Sequence, residues 1–221
     1  MKIVITGGTG ALGAAVTAAL NRDGNRLVAL VRSPQSDTSG NVAQVLVANL
    51  AEPEATRTAF NTAQDILDGI DAIVHLAGGF EWLPVADSKL DDWWSLYATN
   101  VATTVNIIQA GLTKMTDGGA ILCVGAASAQ SAKAGMAPYA AAKSGVARIV
   151  EALSEELRPR RIRVNGVAPA IIDTPRNRAD MPDADPAAWT SPEAIADVIR
   201  FLISSEARAI NGAMIPVTNN A

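Results

Sequence analysis

Seven short β-branched runs alternate with stretches of helical periodicity along the whole chain, and this alternation limits the fold more than any other feature. The runs are 2–6, 26–31, 42–48, 72–76, 120–125, 162–168 and 213–217. Between them 12–22, 53–67, 90–112, 138–157 and 192–204 place apolar residues at the spacing of one helix face, several bounded by Asp-Gly, Pro or Ser-Pro. A strand followed by a helix-length connection returns parallel to its predecessor, through a right-handed crossover. The expected fold is therefore α/β: a doubly wound parallel sheet of about seven strands with helices on both faces. At 221 residues the chain suits one such unit, 1–221, without a separate substrate domain. Residues 173–190, with Pro175, Pro182 and Pro186, form the one long irregular stretch. Following the carboxyl end of a strand, it has the place of a substrate lid.

The first run leads directly into Thr6-Gly7-Gly8-Thr9-Gly10-Ala11-Leu12-Gly13, which opens a helix. In that context Gly7 suits the tight turn, Gly10 lets the backbone approach a pyrophosphate, and Gly13 allows close helix-to-strand packing, with helix-start amides facing the anion. The fold is thereby narrowed to the Rossmann type, the ligand being a dinucleotide. An NAD site would place an acid after the second strand, but here Val31 is followed by Arg32 and Ser33. A guanidinium at that point suits a 2′-phosphate, so NADPH is the preferred cofactor. NADH stays possible, because Asp37 could reach a ribose from the loop.

A second constellation is Tyr139 and Lys143, four residues apart at the start of a predicted helix. They share one helix face, where an ammonium would stabilise phenolate and draw the tyrosine pKa toward working pH. Together with Thr6–Gly13, Asn100 in Thr99-Asn100-Val101 and the run from Asn165 to Thr174, these residues resemble the short-chain dehydrogenase/reductase family over essentially the whole chain. Within it the likeness is to the dihydropteridine reductases, through Gly7–Gly13, Ala77-Gly78-Gly79-Phe80, Asp173-Thr174-Pro175-Arg176-Asn177-Arg178, Met181–Asp185 and Trp189-Thr190.

The resemblance implies that Tyr139 supplies a proton, that Lys143 binds the nicotinamide ribose and tunes Tyr139, and that Asn100 holds a water in the proton path. It implies cofactor contacts from Gly7, Thr9, Gly10, Leu12 and Gly13, and adenine contacts from Asn49 and the Leu50 backbone. Ala77, Gly78, Pro169, Ile172 and Thr174 would line the nicotinamide half. Most members also carry a serine thirteen residues before the tyrosine, to bind a substrate oxygen; here that position is Ala126. Ser128 lies nearby, although a displacement of two residues would re-aim its hydroxyl. Ala11, in place of a glycine, and Ala170 are further departures. The resemblance also implies a homodimer or homotetramer.

Other residues have plainer readings. Phe80, Trp82 and Trp189 fall in loops where a ring could stack on a substrate, Phe80 foremost, while Trp93 and Trp94 follow a helical pattern and suit core or interface. His75 suits a structural role, and Cys123 a small buried apolar one. A balance of 18 Lys and Arg against 22 Asp and Glu opposes nucleic-acid binding. No run is long enough to span a bilayer, and there is no zinc or EF-hand spacing, so neither membrane nor metal is expected. One cysteine and an immediate start on a strand suit the cytoplasm. Three readings follow: a reductase of a quinonoid dihydropterin or similar small planar acceptor, a carbonyl reductase acting on ketones, aldehydes or quinones, and an NADPH-binding sensor without turnover.

Overall fold

The computed structural model describes residues 1–34 and 42–219. Seven parallel strands, β1 (Lys2–Thr6), β2 (Arg26–Val31), β3 (Val42–Leu46), β4 (Ile70–His75), β5 (Met115–Val124), β6 (Arg163–Pro169) and β7 (Met214–Val217), form one sheet in the order β3-β2-β1-β4-β5-β6-β7. The order reverses between β1 and β4. In sheets of this kind the crevice at that reversal, beyond the carboxyl ends of the strands, is where ligands bind.

Side-chain alternation divides the core into two layers. Ile3 and Ile5 of β1 face one side, with Val74 and Leu122, and are covered by α1 (Ala11–Arg22) and α7 (Pro192–Ile203). Val4, Ile73, Ile121 and Val164 face the other side. They are covered by α2 (Pro53–Leu67), α4 (Thr103–Leu112) and α5 (Ala137–Glu156). The middle of each central strand is thus buried on both faces, as an all-parallel sheet requires, while the amino ends, such as Thr116–Gly118 of β5, reach the surface. α7 starts where the Ser-Pro signal places it: Ser191 Oγ accepts from the Ala194 amide at 3.2 Å, and Pro192 occupies a first-turn position whose amide would have no helical partner.

The structure departs from the sequence expectation at several places; β4 and β5, for instance, begin at Ile70 and Met115, two and five residues before the expected starts at 72 and 120. Residues 90–112 are not one regular helix: α3 (Leu90–Tyr97) passes through a π-helical stretch, Ala98–Ala102, into α4. Within it the Thr103 amide donates to the carbonyl of Ala98, five residues back. Apolar spacing continues across such an insertion, so periodicity alone does not reveal it. Residues 173–190 are not irregular throughout, because Pro175–Asp180 forms the short helix α6 and Ile172 bridges to Thr190. Thr174 Oγ1 caps α6 by accepting from the Asn177 amide at 3.1 Å, a Thr-Pro start masked in sequence by the flanking prolines. The third run stops at Leu46, two residues short of the expected end.

Candidate active site

The glycine-rich turn connects β1 to α1 at the sheet's reversal. Gly7 has φ +70°, and a Cβ on Gly13 would lie 2.0 Å from the Gly7 carbonyl oxygen, so turn and helix touch backbone to backbone. α1 is entered through Gly10, which offers no side-chain cap, and its first turn holds no acidic residue. A Cβ on Gly10 would meet only the Gly7 oxygen, at 3.5 Å, and Thr9 and Gly10 are exposed. Uncapped amides at the start of a three-turn helix, with nothing crowding them, fit a dinucleotide pyrophosphate. Leu12 packs beneath the turn against the α1–α7 core layer.

Arg32 stands exposed just past β2, with no acid between it and the end of the described segment at Pro34. Asp37 lies outside the described residues. On the adenine side, Asn49 is exposed and its Oδ1 accepts from the Ala51 amide at 2.9 Å. The Leu50 carbonyl accepts from Thr56 Oγ1 at 3.0 Å and from Asn106 Nδ2 at 3.1 Å. Asn106, on α4, was not singled out in the sequence.

The nicotinamide side is built from the ends of β4 and β5 and the start of α5. His75 is buried at the end of β4, where its Nδ1 lies 2.7 Å from Thr6 Oγ1, and that oxygen in turn accepts from the Ala77 amide at 3.3 Å. Burial, with the Lys143 charge adding to it, pushes the imidazole down to about 3, so His75 is neutral and structural. It fixes the exit of β4 toward Ala77 and Gly78. A Cβ on Gly78 would lie 2.8 Å from Asn100 Oδ1 and 3.0 Å from Lys143 Nζ, which brings those two side chains to a single point.

Asn100 sits in the π-helical stretch, almost fully buried. Its Nδ2 donates to the carbonyls of Leu96, at 2.9 Å, and Gly79, at 3.1 Å, and its Oδ1 accepts from the Gly79 amide at 3.2 Å. Both amide protons are thereby engaged, and the side chain fastens the 78–79 loop to the helix; only Oδ1 has a lone pair left for a water. Lys143 Nζ donates to the Val124 carbonyl at 2.8 Å, and burial lowers its pKa to about 8.

The expected lowering of the Tyr139 pKa by Lys143 is not seen. Burial holds the phenol up, at about 12, while the ammonium is directed to the Val124 carbonyl. Tyr139 is therefore a neutral acid at working pH. Its ring meets that of Phe80 edge-on, with centroids 4.9 Å apart and planes at 87°.

The remaining candidates separate clearly. Pro169 is buried at the end of β6, and the Ile172 carbonyl accepts from Asn177 Nδ2 at 2.8 Å. Thr174 uses its oxygen for the α6 cap and keeps its hydroxyl proton free to donate. Ser128 lies half-buried in a short 3₁₀ turn, Ala127–Ala129, that has already left the strand. Trp189 is 6% exposed, which corrects the expectation that it stacks on a substrate: its ring is buried and not presented to the site. Cys123 is wholly buried, and burial pushes its thiol up to about 12, so it is inert. Trp94 is not core; it is 59% exposed and lies edge-on to Tyr97. A cavity of about 510 Å³ adjoins Ala126 and Lys143, with Gly125, Ser144 and Met214 among its walls. A larger cleft of about 710 Å³, lined by Met1, Asp71, Thr116 and Arg163 among others, lies at the opposite, amino ends of the strands and takes no part in this site.

Comparison with known proteins agrees with this geometry. A family model described as enoyl-(acyl carrier protein) reductase matches residues 8–219. A 3-oxoacyl-(acyl-carrier-protein) reductase of Vibrio cholerae, FabG, is 27% identical, over 95% of this chain and 92% of its own length. A short-chain dehydrogenase from Burkholderia cenocepacia, solved in complex with NADP, superimposes with a TM-score of 0.89 at 27% identity, covering 100% of this chain and 98% of that one. A blue fluorescent protein from a metagenomic library, solved with NADPH, gives a TM-score of 0.88 at 28% identity, covering 99% and 96%.

Proposed function

The chain belongs to the short-chain dehydrogenase/reductase family of NAD(P)-dependent oxidoreductases, and from that premise we propose that it is an NADPH-dependent carbonyl reductase with Tyr139 as its proton donor. The observation that carries this reading is the convergence of Tyr139, Lys143 and Asn100 on the Gly78–Phe80 loop at the crossover between β1 and β4.

NADPH, when bound, supplies the hydride. The glycine turn and the open start of α1 would hold its pyrophosphate, Arg32 its 2′-phosphate, and Lys143 with the 77–78 backbone its nicotinamide ribose. Support for the phosphorylated cofactor comes from Arg32 and from the NADP and NADPH bound in the two solved relatives. The chain's own residues perform the proton half of the reaction. As negative charge develops on the substrate oxygen, the Tyr139 hydroxyl donates to it; a phenol held near 12 keeps its proton until an alkoxide, a stronger base, forms beside it. Lys143, charged below about pH 8 and fixed on the Val124 carbonyl, would keep the nicotinamide ribose in place beside Tyr139, and solvent returns a proton to the phenolate. The 173–190 segment, closing on the site from the end of β6, is proposed as the substrate lid.

The carbonyl reading is supported by the activity named for the Vibrio relative. A second reading, reduction of a quinonoid dihydropterin, is favoured by one observation: Ala126 places no hydroxyl at the end of β5 to hold a ketone oxygen. The deciding experiment is a panel of NADPH oxidation assays with an aliphatic oxoacyl thioester, simple ketones, quinones and peroxidase-generated quinonoid dihydropterin. Turnover with a carbonyl acceptor is expected, with Tyr139→Phe binding NADPH nearly normally and losing about 10² to 10⁴ in kcat. Tight NADPH binding with no acceptor reduced would leave the sensor reading instead.

A further inference from the structure

Two large rings lie open at the mouth of the site although each is fixed in place. Phe80 is 50% exposed and Trp82 60% exposed. Phe80 is held edge-on by Tyr139. Trp82 Nε1 donates to the Ala134 carbonyl at 3.1 Å, and the ring lies over Gly135, where a Cβ would come within 2.2 Å of Cε2 and 2.3 Å of Nε1. Gly135 has φ +76°, and its carbonyl accepts from the Leu83 amide at 2.7 Å. The 79–83 segment is therefore tied at Gly79 to Asn100, at Phe80 to Tyr139, and at Trp82 and Leu83 to the residues leading into α5. Rings already held in one orientation lose little conformational freedom when a ligand packs on them.

We propose that Trp82 and Phe80 form a preset aromatic wall beside Tyr139 that selects flat conjugated carbonyl acceptors, quinone-like rings, over flexible aliphatic ones. This rests on the reductase reading and names its substrate class. With Ala126 contributing no hydroxyl, a flexible ketone finds little besides Tyr139 to orient its oxygen. A rigid ring is oriented through its face and edge by aromatic packing. The reaction balances as one C=O π bond replaced by a C–H and an O–H bond. The hydride of bound NADPH forms the first, the Tyr139 proton the second, NADPH is oxidised by two electrons, and solvent restores the proton to Tyr139.

The test compares kcat/KM for phenanthrenequinone with that for an aliphatic oxoacyl thioester in wild type, Trp82→Leu, Trp82→Phe and Phe80→Leu. NADPH affinity is followed by fluorescence, and assembly by sedimentation. In Trp82→Leu and Phe80→Leu the ratio of quinone to thioester is expected to fall by about threefold to tenfold, the range of one aromatic contact, mainly through the quinone KM. Trp82→Phe should recover most of the loss, and NADPH affinity should not change. An unchanged ratio in Trp82→Leu overturns the wall. So does a changed ratio that accompanies a changed sedimentation coefficient, because the ring would then serve contact between copies of the chain. Failure of wild type to oxidise NADPH with either acceptor would instead overturn the reductase reading itself.

Discussion

Replacing Lys143 with methionine should make the cofactor-free protein more stable while abolishing its function. The ammonium is buried and its pKa lies at about 8 instead of 10.5, so folding disfavours the charged form by ~3 kcal/mol at neutral pH, at about 1.4 kcal/mol per tenfold. Against this stands the bond to the Val124 carbonyl, whose loss leaves a buried acceptor unpaired at a cost of ~1–3 kcal/mol. Methionine fills a similar volume with a flexible apolar chain. The net expectation is a gain of about 1 kcal/mol, which in a chain of this size raises Tm by roughly 2–4 °C. The pH dependence separates this from a generic effect. Between about pH 8 and 10.5 the unfolded state binds more protons at Lys143 than the folded state, so wild-type stability gains from this group as pH rises through that window. Lys143→Met should lose that component, so the difference between the two proteins shrinks or reverses toward pH 10.5. Urea unfolding of both proteins from pH 6 to about pH 10.5, with and without NADPH, measures it. NADPH should stabilise wild type by more than it stabilises the variant. A variant less stable than wild type at pH 7, with a parallel pH profile, would refute the reasoning and show that Lys143 is not held against its burial cost.

Two further substitutions test the ends of the cofactor and substrate sites. Arg32→Ala should lower the kcat/KM preference for NADPH over NADH by about one to two decades, the range of a charge-assisted contact worth roughly 1.5–3 kcal/mol; equal use of both cofactors by wild type would remove the basis for that assignment. Ala126→Ser should raise kcat/KM on simple ketones by tenfold or more, toward the ceiling of roughly 2.7–4 kcal/mol set by oxyanion donors, with little change on quinones. Robust ketone reduction by wild type that Ser128→Ala abolishes would show instead that the hydroxyl had moved two residues along the chain.

The sheet was legible in the sequence because every central strand is buried on both faces. Burial of that kind leaves continuous apolar runs such as Ile3–Ile5 and Ala72–Val74, which stand out from the helical spacing around them. The glycine turn was legible for a different reason: Gly13 meets the Gly7 carbonyl at a distance only glycine permits, so the residue types record the contact. What remained hidden depends on tertiary position. Nothing in the spacing of Tyr139 and Lys143 shows that the ammonium turns to Val124 and that the phenol stays near 12. Trp189 and Trp82 looked equivalent as loop tryptophans, yet one is buried and the other lies open over Gly135. The difference is set by neighbours far away in sequence. Asn106 was passed over because its partner, the Leu50 carbonyl, lies 56 residues earlier.

The loop that carries Phe80 connects these facts. Asn100 spends both of its amide protons on carbonyls and its oxygen holds the amide of Gly79, the residue before Phe80, so beside any water it holds on Oδ1 it also ties down this loop. A π-helical insertion in the helix that supplies Asn100 is the kind of irregularity a fold retains where a side chain must be re-aimed. Its effect here is to brace the 78–80 loop, and through Phe80 the ring of Tyr139, from a helix packed on one face of the sheet. The acid is therefore held from the loop side, by an edge-on ring, as well as from its own helix. Under the proposed mechanism, with no hydroxyl at position 126, the accuracy of proton transfer depends on that brace, because the side chain at 126 offers no donor to help place the substrate oxygen against Tyr139. An aromatic residue at position 80 thus contributes to positioning the acid as well as shaping the wall that faces the acceptor.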